Sequence, residues 1–133
     1  MNTRNVTILV VEDEQRTREY LAAILSARGW RVDTACDGPT ALELVQRTKY
    51  DAVVLDYRMP NMDGAETCRR IRQVQPEVHG VFVTGFPTID TVFPAIASGA
   101  DRVLAKPVNP VELVKTLEEE LAKQALDRGG PDA

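Results

Sequence analysis

Five side chains of this 133-residue chain could together handle phosphorus: Glu12, Asp13, Asp56, Thr84 and Lys106. Carboxylates drawn into one small pocket repel each other and hold their protons more tightly than in water. A hard divalent cation relieves that repulsion, and Mg²⁺ needs only a few carboxylates because it keeps several waters. Histidine and cysteine are missing from the same positions, Cys36 apart, which argues against zinc. A carboxylate can attack phosphorus to form an aspartyl-phosphate. The transferring group spreads its charge over three oxygens, so catalysis is mostly positioning and charge stabilisation. A cation, an ammonium and a hydroxyl meet that need. Asp56 stands alone after an apolar run and is the nucleophile candidate, while the adjacent Glu12 and Asp13 suit the metal.

These residues are far apart in the chain, so strand topology must bring them together. Thr7-Ile8-Leu9-Val10-Val11 is too continuous for a strand with one wet face and predicts a strand buried on both sides, as in a parallel sheet. Further strands are predicted over 30–35, 52–55, 78–83 and 102–105. Between them lie helical patterns: Tyr20, Leu21, Ile24 and Leu25 ending at Gly29; Ala41, Leu42 and Val45, opened by Asp37-Gly38-Pro39 with the proline at the first helical position; and 65–74, stopped by Pro76. The fourth helix must fall between Thr88 and Ser98 but contains Pro94, which lacks an N–H and clashes with the preceding turn. It is expected to start near Thr91 or to be kinked, and to end at Gly99. Asn109-Pro110-Val111-Glu112 signals the start of the last helix, with Val111, Val114, Leu117 and Leu121 as its apolar stripe and Glu118-Glu119-Glu120 as a solvated face.

Five β-α units in series imply an α/β fold: a doubly wound parallel sheet with helices on both faces and right-handed crossovers. Ligands bind such sheets outside the carboxyl ends of the strands, at the switch point in strand order. Glu12 and Asp13 follow the first strand, Asp56 ends the third, Thr84 the fourth and Lys106 the fifth. The net charge of −4 argues against direct nucleic-acid binding, which needs clustered cations. No run approaches the ~20 apolar residues of a membrane helix, no signal peptide opens the chain, and Cys36 and Cys68 match no metal-ligand spacing. The expectation is a cytoplasmic protein with no membrane association.

Val10-Val11-Glu12-Asp13, Leu55-Asp56-Tyr57-Arg58-Met59-Pro60-Asn61-Met62-Asp63-Gly64, Thr84-Gly85, Gly99-Ala100-Asp101 and Lys106-Pro107 occur in the order and spacing of the response-regulator receiver domain of two-component signalling, which the chain closely resembles over residues 6–121. The resemblance implies a five-stranded, flavodoxin-like (βα)5 receiver fold with strand order 2-1-3-4-5, over residues 1–124, with 125–133 as a disordered tail. It implies Asp56 as phosphoacceptor, assisted by Thr84 and Lys106. It also implies Mg²⁺ held by Glu12, Asp13, Asp56 and the backbone carbonyl of Arg58, with Asp13 favoured over Glu12 as the direct ligand. The Lys106-Pro107 peptide is expected to be cis. The phosphoryl donor would be a phosphohistidine on a sensor histidine kinase or phosphotransfer protein, and the output a change in binding to a downstream effector domain or protein.

One position departs from the family. Tyr or Phe often stands three residues before the lysine, where this chain has Val103, too small and too stiff to swing in and out of a pocket as an aromatic does. The fourth β-α loop and the Pro94 helix are expected to carry the change instead. Arg58 and Phe86 are expected to flank the path of an attacking water. Asp63 is expected as a helix N-cap or loop residue, Asp101 as the start of the last strand, and, at the edge away from the pocket, His79 as a structural or surface residue and Trp30 as packing. The chain is thus expected to be a switch that promotes its own phosphorylation and slow dephosphorylation. A phosphorylation-independent interaction module on the same fold is the alternative. A metal-dependent phosphatase commonly has a second acid two residues after its nucleophile, where this chain has Arg58.

Overall fold

A computed structural model describes residues 5–59, 63–85, 88–97 and 99–129. The elements alternate: β1 (Thr7–Val11), α1 (Gln15–Ala27), β2 (Arg31–Ala35), α2 (Gly38–Arg47), β3 (Ala52–Asp56), α3 (Gly64–Val74), β4 (His79–Thr84), α4 (Ile89–Ala97), β5 (Arg102–Ala105) and α5 (Pro110–Gly129). All strand pairs are parallel, in the order β2-β1-β3-β4-β5. Strands so short hold together because side chains alternate between two cores. Leu9, Val11, Val53, Leu55 and Phe82 pack with Ala41 and Val45 of α2, Cys68 and Ile71 of α3, and Ala95 of α4. Ile8, Val10, Val54, Val81 and Val83 pack with Leu21 and Leu25 of α1 and with Leu113, Leu117 and Leu121 of α5.

Register delivers the strand ends to one line. Val11 lies beside Leu55, Asp56 beside Val83, and Thr84 beside Ala105. The residues immediately beyond β1 and β5, Glu12 and Lys106, therefore reach the level of Asp56. A slip of one residue would turn every side chain of a strand to the other core. β1 and β3 are neighbours while the chain departs from them in opposite directions, which opens a crevice above their carboxyl ends.

Helix ends follow local chemistry. The Asp37, Asp63 and Asn109 side chains accept from the N–H groups of Thr40, Glu66 and Glu112 at 2.8, 2.7 and 3.0 Å, as N-caps do. Gly29 and Gly99, at φ of 102° and 108°, turn the chain after α1 and α4 in the left-handed region glycine tolerates.

Several expectations need correction. α2 begins at Gly38, so Pro39 is its second residue, where the missing N–H is equally harmless. α4 begins at Ile89, before Thr91, and runs through Pro94. Pro94 is exposed while Ala95 beside it is fully buried, so packing of the apolar face keeps the helix formed despite the lost bond. Residues 125–129, expected in the tail, continue α5; Ala122, Lys123, Gln124, Ala125 and Leu126 all favour helix. Residues 130–133 lie outside the described residues. Glu120, expected on a solvated face, is buried. Trp30, as expected, packs against the α1/α5 core, with the Arg28 guanidinium 4.9 Å from its ring centroid.

The loop after Asp56 closes on Gly64, whose N–H donates to the Tyr57 carbonyl at 2.8 Å. A Cβ there would stand 2.5 Å from the Asp56 carbonyl oxygen and 2.8 Å from the Tyr57 Cα. Both obstacles are backbone and cannot rotate away. Gly64→Ala is expected to cost about 1–3 kcal/mol, the usual range for overpacking, seen as a lower urea midpoint with an unchanged slope.

Candidate functional site

The strand ends converge on Asp56, which is 8% exposed at the carboxyl end of central strand β3. Its Oδ1 accepts from the Arg58 N–H at 3.3 Å and lies 3.5 Å from Lys106 Nζ. The same ammonium donates to Glu12 Oε1 at 3.1 Å. Glu12 is 1% exposed and rigidly held: its N–H donates to the Ala35 carbonyl at 3.0 Å, and its Oε2 accepts from the Glu14 N–H at 3.1 Å. Asp13 is exposed, yet Glu12, Asp13 and Asp56 each bring a carboxylate oxygen within 4.8 Å of the others.

Thr84 is buried at the end of β4, and its carbonyl accepts from the Lys106 N–H at 2.8 Å, which fixes the lysine at the rim of the pocket. The Lys106-Pro107 peptide is cis, as expected. The Arg58 side chain is exposed. Phe86 lies outside the described residues. Val103 is half-buried, packed against the α2/α3/α4 core, and pairs in register with Phe82, whose ring meets Tyr57 edge-on at 5.5 Å between centroids.

The electrostatics of the pocket are unbalanced. Burial pushes the Glu12 carboxyl up to about 7, helped by the charge of Asp56 and opposed by the Glu14 N–H and Lys106. Burial likewise raises Asp56, with Asp13 adding to the shift against Lys106 and the Arg58 N–H. Burial alone would lower Lys106, but its bonds to Glu12 and Asp56 outweigh that and hold its proton more firmly. Fully ionised, the three carboxylates would outnumber the one ammonium, Lys106, that pairs with Glu12 and Asp56. That deficit and the all-oxygen donor set fit a hard divalent cation rather than a soft metal.

A second group of potential ligands lies at the opposite end of the sheet, where His79 Nδ1 stands 3.4 Å from Asp101 Oδ2 and 3.6 Å from Glu120 Oε1. Its charge state differs from that of the pocket. Arg72 lies 3.6 Å from Asp101, while Arg102 and Lys123 lie 3.4 and 3.1 Å from Glu120. Asp101 Oδ2 also accepts from the Gly80 N–H at 2.9 Å, and its carboxyl sits below the usual range: the bonds from His79 and Gly80 and the charge of Arg72 outweigh its burial. Three cations already neutralise these acids, so the group ties β4, β5 and α5 together, consistent with a structural His79. Asp101 immediately precedes β5 rather than starting it.

The sequence reading overlooked Arg18. Its guanidinium reaches back from the first turn of α1 to donate to the carbonyls of Glu12 and Asp13 at 2.8 and 3.3 Å. The available signal was an arginine five residues after the acid pair, at the start of a helical pattern.

A parallel β2-β1-β3-β4-β5 sheet, carrying an acid trio at the carboxyl ends of β1 and β3 and a lysine at that of β5, defines a doubly wound domain with a cation-seeking, phosphate-compatible edge. The family model described as the response regulator receiver domain matches residues 8–118, and the chain belongs to that family. It is 37% identical to the response regulator MprA of Mycobacterium sp. (strain KMS) over 128 residues, 96% of this chain and 55% of that protein. It is 38% identical to the transcriptional regulatory protein ZraR of Klebsiella oxytoca over 126 residues, 95% of this chain and 28% of that protein. The chain thus spans about half or less of these curated relatives. Among solved structures, the CheY-like response regulator receiver domain protein of Methanospirillum hungatei JF-1 superposes with a TM-score of 0.89 at 25% identity, covering 93% of this chain and 99% of that one. This is a receiver domain of two-component signalling. Among the described residues no helix is long and apolar enough to cross a membrane.

A raised carboxyl pKa links the pocket to stability. The folded state binds the Glu12 proton more tightly than the unfolded chain does. The stability this contributes is complete below the unfolded value near 4.5 and is lost as the pH rises through about 7. Asp56 acts in the same direction. In the absence of divalent cations, the thermal midpoint is therefore expected to fall between pH 5 and pH 8 more steeply in the wild type than in Glu12→Gln, as followed by circular dichroism.

Proposed function

We propose that this domain accepts a phosphoryl group on Asp56 from a phosphohistidine donor and uses the modification to switch a downstream effector. The observation that carries the reading is the setting of Asp56: a buried carboxylate, 3.5 Å from Lys106 Nζ, with two further acids close by. An Asp56 oxygen attacks phosphorus and the P–N bond to the donor imidazole breaks, leaving the electron pair on nitrogen. Lys106 turns from a carboxylate partner into a partner of the incoming phosphoryl oxygens, the Thr84 hydroxyl donates to one of them, and the Arg58 N–H orients the nucleophile. Glu12, Asp13, Asp56 and the Arg58 carbonyl would hold Mg²⁺, which supplies neutralisation of the charge on the transferring group.

On this reading the domain promotes its own phosphorylation and, more slowly, its hydrolysis, since positioning and charge stabilisation are all the transfer requires. The donor is a sensor histidine kinase or phosphotransfer protein, the effector a further domain or separate protein, and the setting cytoplasmic. With Val103 in the place an aromatic often takes, the response leaves the pocket through the β4–α4 connection and α4. The exposed Arg58 side chain flanks the route of the hydrolytic water.

Incubation with Mg²⁺ and a small acyl phosphate, followed by intact mass measurement, tests the reading. The expected result is a gain of one phosphoryl group that is absent in Asp56→Asn and slowed on the order of a hundredfold in Lys106→Met, as for loss of one charge-stabilising donor. No gain in the wild type would favour a phosphorylation-independent interaction module. Rapid multiple turnover would favour a phosphatase.

A further inference from the structure

The acid pair sits where β1 ends and α1 has not yet begun, so neither sheet nor helix alone fixes its backbone. Glu12 is anchored through its N–H and both carboxylate oxygens. Asp13 is exposed, and α1 starts behind it with Glu14 as an N-cap whose side chain makes no capping bond to a helix N–H. What spans this turn is Arg18. Its N–H donates to the Glu14 carbonyl at 2.9 Å, which places it one helical turn along. Helical side chains lean toward the N-terminus, so a long one here reaches back over the loop. Nη1 donates to both the Glu12 and the Asp13 carbonyl.

We infer that Arg18 is a positioning residue for the divalent cation: by gathering two successive carbonyls onto one guanidinium, it sets the peptide planes from which the Glu12 and Asp13 side chains project. The inference rests on the proposed role of the acid trio. Both bonds are to backbone oxygens, so no carboxylate oxygen is taken from the cation. A planar, permanently charged group suits this bridging, whereas the ammonium of lysine is a compact point charge on a flexible stem. Arg18 is half-buried.

Mg²⁺ titration by calorimetry on the whole chain tests this with wild type, Arg18→Met, Arg18→Lys and, as a control, Arg16→Met, which alters an exposed neighbour. Arg18→Met is expected to raise the Mg²⁺ dissociation constant about tenfold, the lower end of the range for groups that orient metal ligands. Arg18→Lys should recover part of the loss, and Arg16→Met should match wild type. The Mg²⁺ concentration giving half-maximal phosphorylation by acyl phosphate should rise by the same factor, with the rate at saturating Mg²⁺ near wild type. Should Arg18→Met fold poorly by circular dichroism, Arg18→Gln serves the same comparison. Wild-type affinity in the folded variant would overturn the inference alone. A rate loss that excess Mg²⁺ does not restore would also overturn it, because Arg18 would then act on the transfer itself. Absence of Mg²⁺ binding to the wild type would overturn the reading of the acid trio and this inference with it.

Discussion

The pocket is built around an imbalance of charge. Glu12 and Asp56 are almost fully buried, Asp13 stands beside them, and a single ammonium lies between the two buried acids. Carboxylates shielded from water and set against each other resist ionisation, and both buried acids are displaced upward despite Lys106. A site at rest in this condition gains by taking up positive charge. On the proposed function, the same setting would let Lys106 exchange its carboxylate partner for a phosphoryl oxygen. The rest of the fold serves to hold these like charges together.

Holding them requires a scaffold that cannot relax. The inner strands are buried on both faces and divide their side chains between two cores, so neither register nor tilt can adjust without exposing apolar surface. Beyond the strands, local bonds take over. Glu12 is tied to the edge strand β2, Tyr57 donates to the Val83 carbonyl at 3.1 Å, Gly64 closes the loop after Asp56, and Lys106 is tied to Thr84. Relatives in the receiver family differ widely in total length, the matched region being 55% of MprA and 28% of ZraR. The pocket is built from residues inside that matched region, so its construction is independent of those differences.

The group at the other end of the sheet shows that residue type alone does not make such a site. His79, Asp101 and Glu120 approach one another about as closely as the acid trio does. Three basic side chains pair with its two acids, so their charge is met where the pocket's is not. Glu120 was misread because a run of three glutamates has the composition of a wetted helix face, and the cations that neutralise it come from β5 and from a later turn of α5. Arg18 was missed for a related reason: its partners are backbone carbonyls, which leave no trace in side-chain identity. Pro94 did not delay the start of α4, because burial of Ala95 beside it offsets the lost bond.

By itself the sequence determined the number, order and type of elements, because apolar runs buried on both sides and amphipathic stripes are recorded in residue spacing. It also determined which residues could serve the pocket, because only certain side chains can hold a hard cation or attack phosphorus. The helix caps at Asp37, Asp63 and Asn109 were equally legible, being set by contacts three residues apart. The tertiary structure alone decided how charge is shared: that Lys106 bridges Glu12 and Asp56 while Arg18 takes carbonyls, that one acidic group is neutralised and the other is not. The balance of charge at a point depends on distances between strands and helices far apart in the chain, and those distances exist only once the two cores have packed.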